Sequence, residues 1–89
     1  MAEIEPSELA RKYIRNVEYA LIQLRSDEQR LDEKVDEVVR LAECYLEDAK
    51  RFLVEGEVQT SLIAISYSEG LLDALRMLNL AKFSWPKDR

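Results

Sequence analysis

The sequence predicts an all-α protein, an antiparallel up-down-up three-helix bundle with a tight helical hairpin formed by helices two and three. Apolar residues recur at helical spacing through three long segments. Only two glycines and two prolines are available for turns. One of them, Gly56, stands between two of the helical segments and leaves room only for a short turn.

The composition is that of one small domain, residues 1–89. Hydrophobic residues make up 47% of the chain and charged residues 35%, which is too apolar for a disordered protein. The net charge is −5 and no basic stripe is present, so we expect neither a nucleic-acid ligand nor binding to an anionic membrane surface. No segment approaches the length of a membrane span, and the acidic N-terminus is unlike a signal peptide.

Helix one is predicted over about residues 7–25. Pro6 suits a first helical turn, where its missing N–H group is not needed, and Ser7 is an alternative N-cap. Ser26 and Asp27 are good N-cap types and mark the break before the next helix. The apolar face of helix one follows a period of 3.6 and consists of Leu9, Tyr13, Val17, Ala20, Leu21 and Leu24.

Helix two is predicted over about residues 28–55, with its start anywhere from Asp27 to Leu31. Asp36 with Arg40 and Glu47 with Arg51 are expected as i,i+4 ion pairs on its solvated side. A heptad seam predicts packing against antiparallel neighbours, and it consists of Leu31, Val35, Val38, Ala42, Tyr45, Ala49 and Phe52. Four further residues widen this stripe, namely Val39, Leu41, Leu46 and Leu53.

Helix three is predicted over about residues 57–80, and it is apolar around most of its circumference. Between Val58 and Ala81 its only charged residues are Glu69, Asp73 and Arg76. Two neighbouring helices cannot cover such a helix completely, so we expect the C-terminal tail, residues 82–89, or another chain to cover the remainder. Within that tail, Phe83 and Trp85 are expected to fold back onto the end of the hairpin.

The residue types exclude most catalytic chemistry, and we expect no enzyme. The chain has no histidine, which removes the commonest general base and the commonest metal ligand. No glycine-rich phosphate loop is present. We therefore expect no catalytic residue, no metal and no cofactor. The single cysteine, Cys44, is expected as a small buried apolar residue in a protein of the reducing cytoplasm.

Seven residues are candidates for an interaction or ligand surface. Glu69 and Asp73 are like charges one turn apart on the most apolar helix, either balanced by Arg76 or marking an apolar interface. Two tyrosines are expected near the seam of the hairpin, mostly buried. Gly70 is expected to permit a close packing contact with helix one or two. The candidate surface consists of Tyr45, Asp48, Tyr67, Glu69, Asp73, Arg76 and Trp85.

The hairpin resembles a known family. Tyr45-Leu-Glu-Asp48-Ala49, Gly56-Glu57 and Glu69-Gly70-Leu-Leu-Asp73-Ala74, with Leu78-Asn-Leu80 and Phe83 after them, resemble short archaeal proteins of the domain of unknown function 357. The match runs from Tyr45 to Phe83, and helix one carries no signature. The resemblance implies an archaeal, cytoplasmic, helical protein without an assigned activity. Glu57 stands where the family is expected to have aspartate, which predicts a looser start of helix three.

These observations support two functions above an enzyme. The first is a protein-interaction or assembly module that uses helix three to pair with itself, as a homo-oligomer, or with a larger protein partner. The second is a small-ligand site in the bundle, lined by Tyr45, Asp48, Tyr67 and Asp73.

Overall fold

A computed structural model gives the structure of residues 3–26 and 29–89. These residues form three α-helices and no strand, which confirms the predicted all-α class. Helix α1 spans Pro6–Ser26, α2 spans Glu33–Val54 and α3 spans Val58–Met77. All three helices contact one another, and α2 with α3 forms the most closely packed pair.

Hydrogen bonds at matched spacing show that α2 and α3 are antiparallel. The hydroxyl of Ser61 donates to the carbonyl oxygen of Ala49 at 2.7 Å. Seven residues later in α3, the hydroxyl of Ser68 donates to the carbonyl oxygen of Ala42 at 2.7 Å, seven residues earlier in α2. Both serines are fully buried. Small residues on both helices therefore let the two backbones approach, and the hydroxyls are satisfied by carbonyls of the neighbouring helix.

Ion pairs show that α1 and α2 are antiparallel as well. Lys50 Nζ lies 3.2 Å from Glu18 Oε2, and Arg25 Nη2 lies 2.7 Å from Glu43 Oε1. A step of seven residues forward in α1 is thus a step of seven residues back in α2. The three helices alternate in direction as predicted, up, down and up.

The core lies along the axis that the three helices share. Its largest fully buried apolar side chains are Val17 of α1, Val39 of α2, and Ile65 and Leu72 of α3. Burial of each contributes about 1.5–3 kcal/mol relative to solvent exposure. The predicted heptad seam of α2 is confirmed only in part. Val35, Ala42 and Ala49 are buried, whereas Val38, Tyr45 and Phe52 are only half-buried. Val39 and Leu46, expected only to widen the seam, are fully part of the buried core.

Helix α2 begins later than the sequence indicated. Asp27 lies outside the described residues, but residues 29–32 are not helical, and the N-cap is Asp32. Its carboxylate accepts a hydrogen bond of 2.8 Å from the backbone N–H of Lys34. Leu31, the last of the expected starting positions, is therefore a half-buried residue of the connection between α1 and α2. Capping by aspartate decides this boundary, because it satisfies a backbone donor that the first helical turn leaves free.

Both hairpin helices end in the same backbone motif. At the end of α2, Gly56 has φ +82° and its N–H donates to Leu53, while the N–H of Glu57 donates to Phe52. This is the six-residue C-cap that glycine favours. Glu57 is the N-cap of α3 and makes no capping hydrogen bond with its side chain.

Asn79 ends α3 three residues before the predicted end. It has φ +59°, its N–H donates to Arg76 at 3.0 Å, and the N–H of Leu80 donates to Leu75 at 2.9 Å. Asparagine is the residue other than glycine that most readily adopts this left-handed conformation. The asparagine therefore stops the helix at Met77, and the chain turns back.

The expectations for Cys44, Leu41, Gly70 and Arg51 are wrong. Cys44 is exposed and unpaired rather than buried, and Leu41 is exposed rather than part of the widened apolar stripe. Gly70 is exposed, and a Cβ built on it would meet nothing within 4 Å, so no helix of the chain approaches it. Arg51 pairs with Asp48 rather than with Glu47. All four residues lie on outward faces of their helices.

Candidate functional site

The seven candidate residues fall into a cluster of four, a pair of tyrosines and one separate acid. Glu69, Asp73, Arg76 and Trp85 come together where the C-terminal tail crosses α3. We call this cluster, together with Arg89, the tail latch. The sequence did not indicate the part played by Arg89.

Asp73 is the centre of the tail latch. Its Oδ1 accepts hydrogen bonds from the indole Nε1 of Trp85 at 2.8 Å and from Nε of Arg76 at 3.0 Å. These bonds, that of Trp85 before that of Arg76, hold the pKa of Asp73 below its ordinary value despite partial desolvation. The unusual acid on the apolar helix therefore has a partner within its own chain.

Glu69 binds the last residue of the sequence. Arg89 Nη2 lies 2.7 Å from Glu69 Oε1, and the Arg89 guanidinium lies 4.2 Å from the centre of the Trp85 ring. The like charges of Glu69 and Asp73 thus face two guanidinium groups and an indole N–H. This arrangement explains why two acids one turn apart are tolerated in α3.

Two glutamine side chains hold the tail from its other side. Gln23 donates to the carbonyl of Ser84 at 2.8 Å and accepts from its N–H at 3.0 Å. Gln29 makes the same pair of bonds with Lys82, at 2.6 and 3.0 Å. Each amide pairs with the backbone as a neighbouring strand would. Sequence reasoning missed both residues, since no local pattern links them to positions more than fifty residues away.

Because the glutamines bind the backbone of Lys82 and Ser84, the residues that alternate with these two in the tail pack against the bundle. Phe83 and Trp85 are half-buried against the core, as expected, and their rings meet edge to face with centres 4.9 Å apart. Ala81 is buried with them. The tail therefore covers the flank of α3 that carries Glu69 and Asp73.

The remaining candidate residues are Tyr45 and Asp48 of α2 and Tyr67 of α3. The rings of Tyr45 and Tyr67 are 4.5 Å apart between centres and tilted by 36°. Tyr45 is half-buried, but Tyr67 is 53% exposed, so the expectation that it is mostly buried is wrong. Asp48 pairs with Arg51 of its own helix at 3.6 Å. None of the hydrogen bonds or ion pairs of the described residues joins Asp48 to the tail latch.

The outer face of α3 is left uncovered. Its large apolar residues are Ile63 and Met77, 72% and 68% exposed, together with Tyr67. Small residues lie between them, and the glycine has open space beyond it. We define the outer face of α3 by its exposed residues, all of them uncharged: Gln59, Thr60, Ile63, Ser66, Tyr67, Gly70, Ala74 and Met77.

One buried polar group lacks a partner. The Nδ2 of Asn16 in α1 is buried and donates no hydrogen bond to the described residues.

The described residues contain no group of three or more acidic, histidine or cysteine side chains that could hold a metal ion. None of the three helices is both long and apolar enough to cross a membrane.

Comparison with known proteins extends the resemblance seen in the hairpin. A family model described as a protein of unknown function (DUF357) matches residues 12–81. The match therefore includes most of α1, where the sequence showed no signature, and it ends before Phe83 and Trp85. No curated protein and no solved structure matches the chain.

Proposed function

Because the chain belongs to the family of proteins of unknown function DUF357, which supplies no activity, we propose its function from its own surface: a non-catalytic protein-interaction module. The outer face of α3 is the docking surface, and a helix of another polypeptide packs against it. The single observation that carries this proposal is an uncharged, largely apolar helix face left exposed in a chain of net charge −5.

The shape of this face supports helix packing in particular. Glycine inside a helix costs about 1 kcal/mol relative to alanine. Among the residues that the structure describes, none approaches Gly70 closely enough to require that loss. Bulky Ile63 and Met77 lie about two turns to either side of it. Crossing helices are nearest at one point and diverge from it, so small residues at the centre and large ones toward the ends suit such a crossing.

The alternative, a small-ligand site, is less well supported. The rings of Tyr45 and Tyr67 touch, so no space separates them. Asp73 already accepts bonds from Trp85 and Arg76. An exposed unpaired cysteine suits a reducing compartment, and we propose that the protein acts in the cytoplasm.

Site-specific photocrosslinking in the native cells tests the docking surface. A benzoylphenylalanine replaces Tyr67 on the outer face of α3, and in a matched variant it replaces Leu41, an exposed apolar residue of α2. We expect a covalent adduct with another polypeptide from position 67 and none from position 41. Ile63→Lys in the first variant should abolish the adduct, because a charge in an apolar interface leaves an unpaired ion.

Adducts of equal yield from both positions, or none from position 67, would contradict the proposal. Circular dichroism of each variant shows whether the helices are retained. An adduct twice the mass of this chain identifies the partner as a second copy. A larger adduct identifies a different protein, and both results support docking at this face.

A further inference from the structure

A groove between α1 and α2 has ends of opposite charge. At one end, which we call the basic end, Arg11, Arg15 and Lys50 line an apolar floor. At the other, the acidic end, Glu18, Glu43 and Glu47 do so, with Arg25 among them. These two helices pack less closely with each other than with α3.

Each end also exposes one large apolar side chain. Ile22 at the acidic end is 64% exposed, and Val54 at the basic end is 89% exposed. Both lie beside a buried floor, formed by Leu21 and Leu46 at the acidic end and by Ile14 at the basic end. An exposed apolar side chain rimmed by charged residues is the arrangement of an interface with an apolar centre and a polar rim.

The basic end is unusual in so acidic a chain. Arg11 and Arg15 lie one turn apart and take part in no ion pair with the residues the structure describes. At the acidic end, Arg25 is already held by Asp36 at 2.6 Å and by Glu43 at 2.7 Å. Lys50 is paired with Glu18 at 3.2 Å, so it is the guanidinium groups of Arg11 and Arg15 that are available to an acidic partner.

The symmetry of the groove indicates which acidic partner fits. Lys50 and Glu18 form a 3.2 Å ion pair across its middle, between the two ends. A two-fold axis that passes by this pair, lies in the plane of contact and runs across both helices reverses the groove end for end. The basic end of one copy then lies over the acidic end of the other, and Ile22 of each copy comes over the end that carries Val54.

We propose that two copies of this chain form a dimer through the faces of α1 and α2, with each basic end on the acidic end of the other copy. Two helices side by side offer a face about 30 Å long and 20 Å wide. This is roughly 600 Å² in projection, comparable to the ~800 Å² that each partner buries in a standard interface. The dimer leaves the outer face of α3 exposed on both copies.

Charge reversal tests this arrangement directly. Variant A carries Arg11→Glu and Arg15→Glu, so both of its ends are acidic. Variant B carries Glu43→Lys and Glu47→Lys, so both are basic. Each variant alone should self-associate at least about tenfold more weakly than the unaltered chain, and an equimolar mixture of A and B should form the dimer again. Sedimentation velocity over a concentration series measures all three, and circular dichroism checks folding.

A different substitution separates this proposal from docking at α3. Ile63→Lys lies on the outer face of α3 and should leave the dimer unchanged. A wild-type chain that stays monomeric at every concentration, or variants A and B that dimerise as well as wild type, would overturn the α1–α2 interface. A dimer abolished by Ile63→Lys would overturn it as well, and would instead support self-association through α3.

Discussion

The substitution Asp73→Asn measures how strongly the tail latch stabilises the fold. Asp73 Oδ1 accepts from Trp85 at 2.8 Å and from Arg76 at 3.0 Å, and its side chain is 27% exposed. Hydrogen bonds to a charged group contribute about 1.5–3 kcal/mol. An asparagine oxygen can still accept from the indole, so we expect only part of this, about 1–2 kcal/mol, to be lost. For a chain of this size each kcal/mol lowers the Tm by about 4–8 °C.

Urea unfolding followed by two signals tests this value. Circular dichroism reports the helices, and the fluorescence of Trp85, the only tryptophan, reports the tail. The matched control is Asp48→Asn, because the side chain of Asp48 is 44% exposed and its ion pair with Arg51 is long, at 3.6 Å. Exposed pairs contribute about 0–1 kcal/mol, so this control should change little. If both variants unfold at the same urea concentration, with unchanged tryptophan emission, the tail latch does not stabilise the fold.

Three further results are expected. The folded-state pKa of Asp73 lies below its unfolded value of about 3.9. The stability that ionised Asp73 contributes is therefore present above about pH 4 and is lost as the pH falls through the lower folded value. On acidification, the urea midpoint of Asp73→Asn should thus fall less steeply than that of the wild type. Ser68→Ala removes a buried bond to Ala42 and should cost about 0.5–1.5 kcal/mol, whereas Ser68→Leu should cost about 1–3 kcal/mol more by overpacking, as denaturant unfolding would show. Gly70→Ala should stabilise the fold by about 0.5–1 kcal/mol and Gly56→Ala, at φ +82°, should destabilise it; Tm shifts of the same sign would contradict this.

The local signals in the sequence were sufficient for the architecture. The apolar period of 3.6 identified three helices, and Gly56 located the hairpin turn, because both depend on residues close in the chain. The sequence did not correctly locate the start of α2 and the end of α3. The caps at Asp32 and Asn79 are single residues whose effect depends on a few backbone hydrogen bonds, and the apolar pattern is insensitive to them.

The candidate site was predicted only in part. Glu69 and Asp73 were singled out because charge on so apolar a helix is unusual, and the structure does bring both into the tail latch. Their partner Arg89, Gln23 of α1 and Gln29 of the connection between α1 and α2 were not identified. The pairing of Gln23 with Ser84 joins residues 61 positions apart, and nothing local in the sequence indicates such a contact.

By itself, the sequence determined the helical class, the direction of each helix and the absence of histidine chemistry, because these follow from residue identity and from spacing within a few turns. Only the tertiary structure decided which side of α3 the tail covers and which side it leaves exposed. It also decided that the charges of α1 and α2 separate into two ends. Both properties arise when segments distant in the chain pack together, since exposure and charge distribution belong to the assembled surface rather than to any one helix.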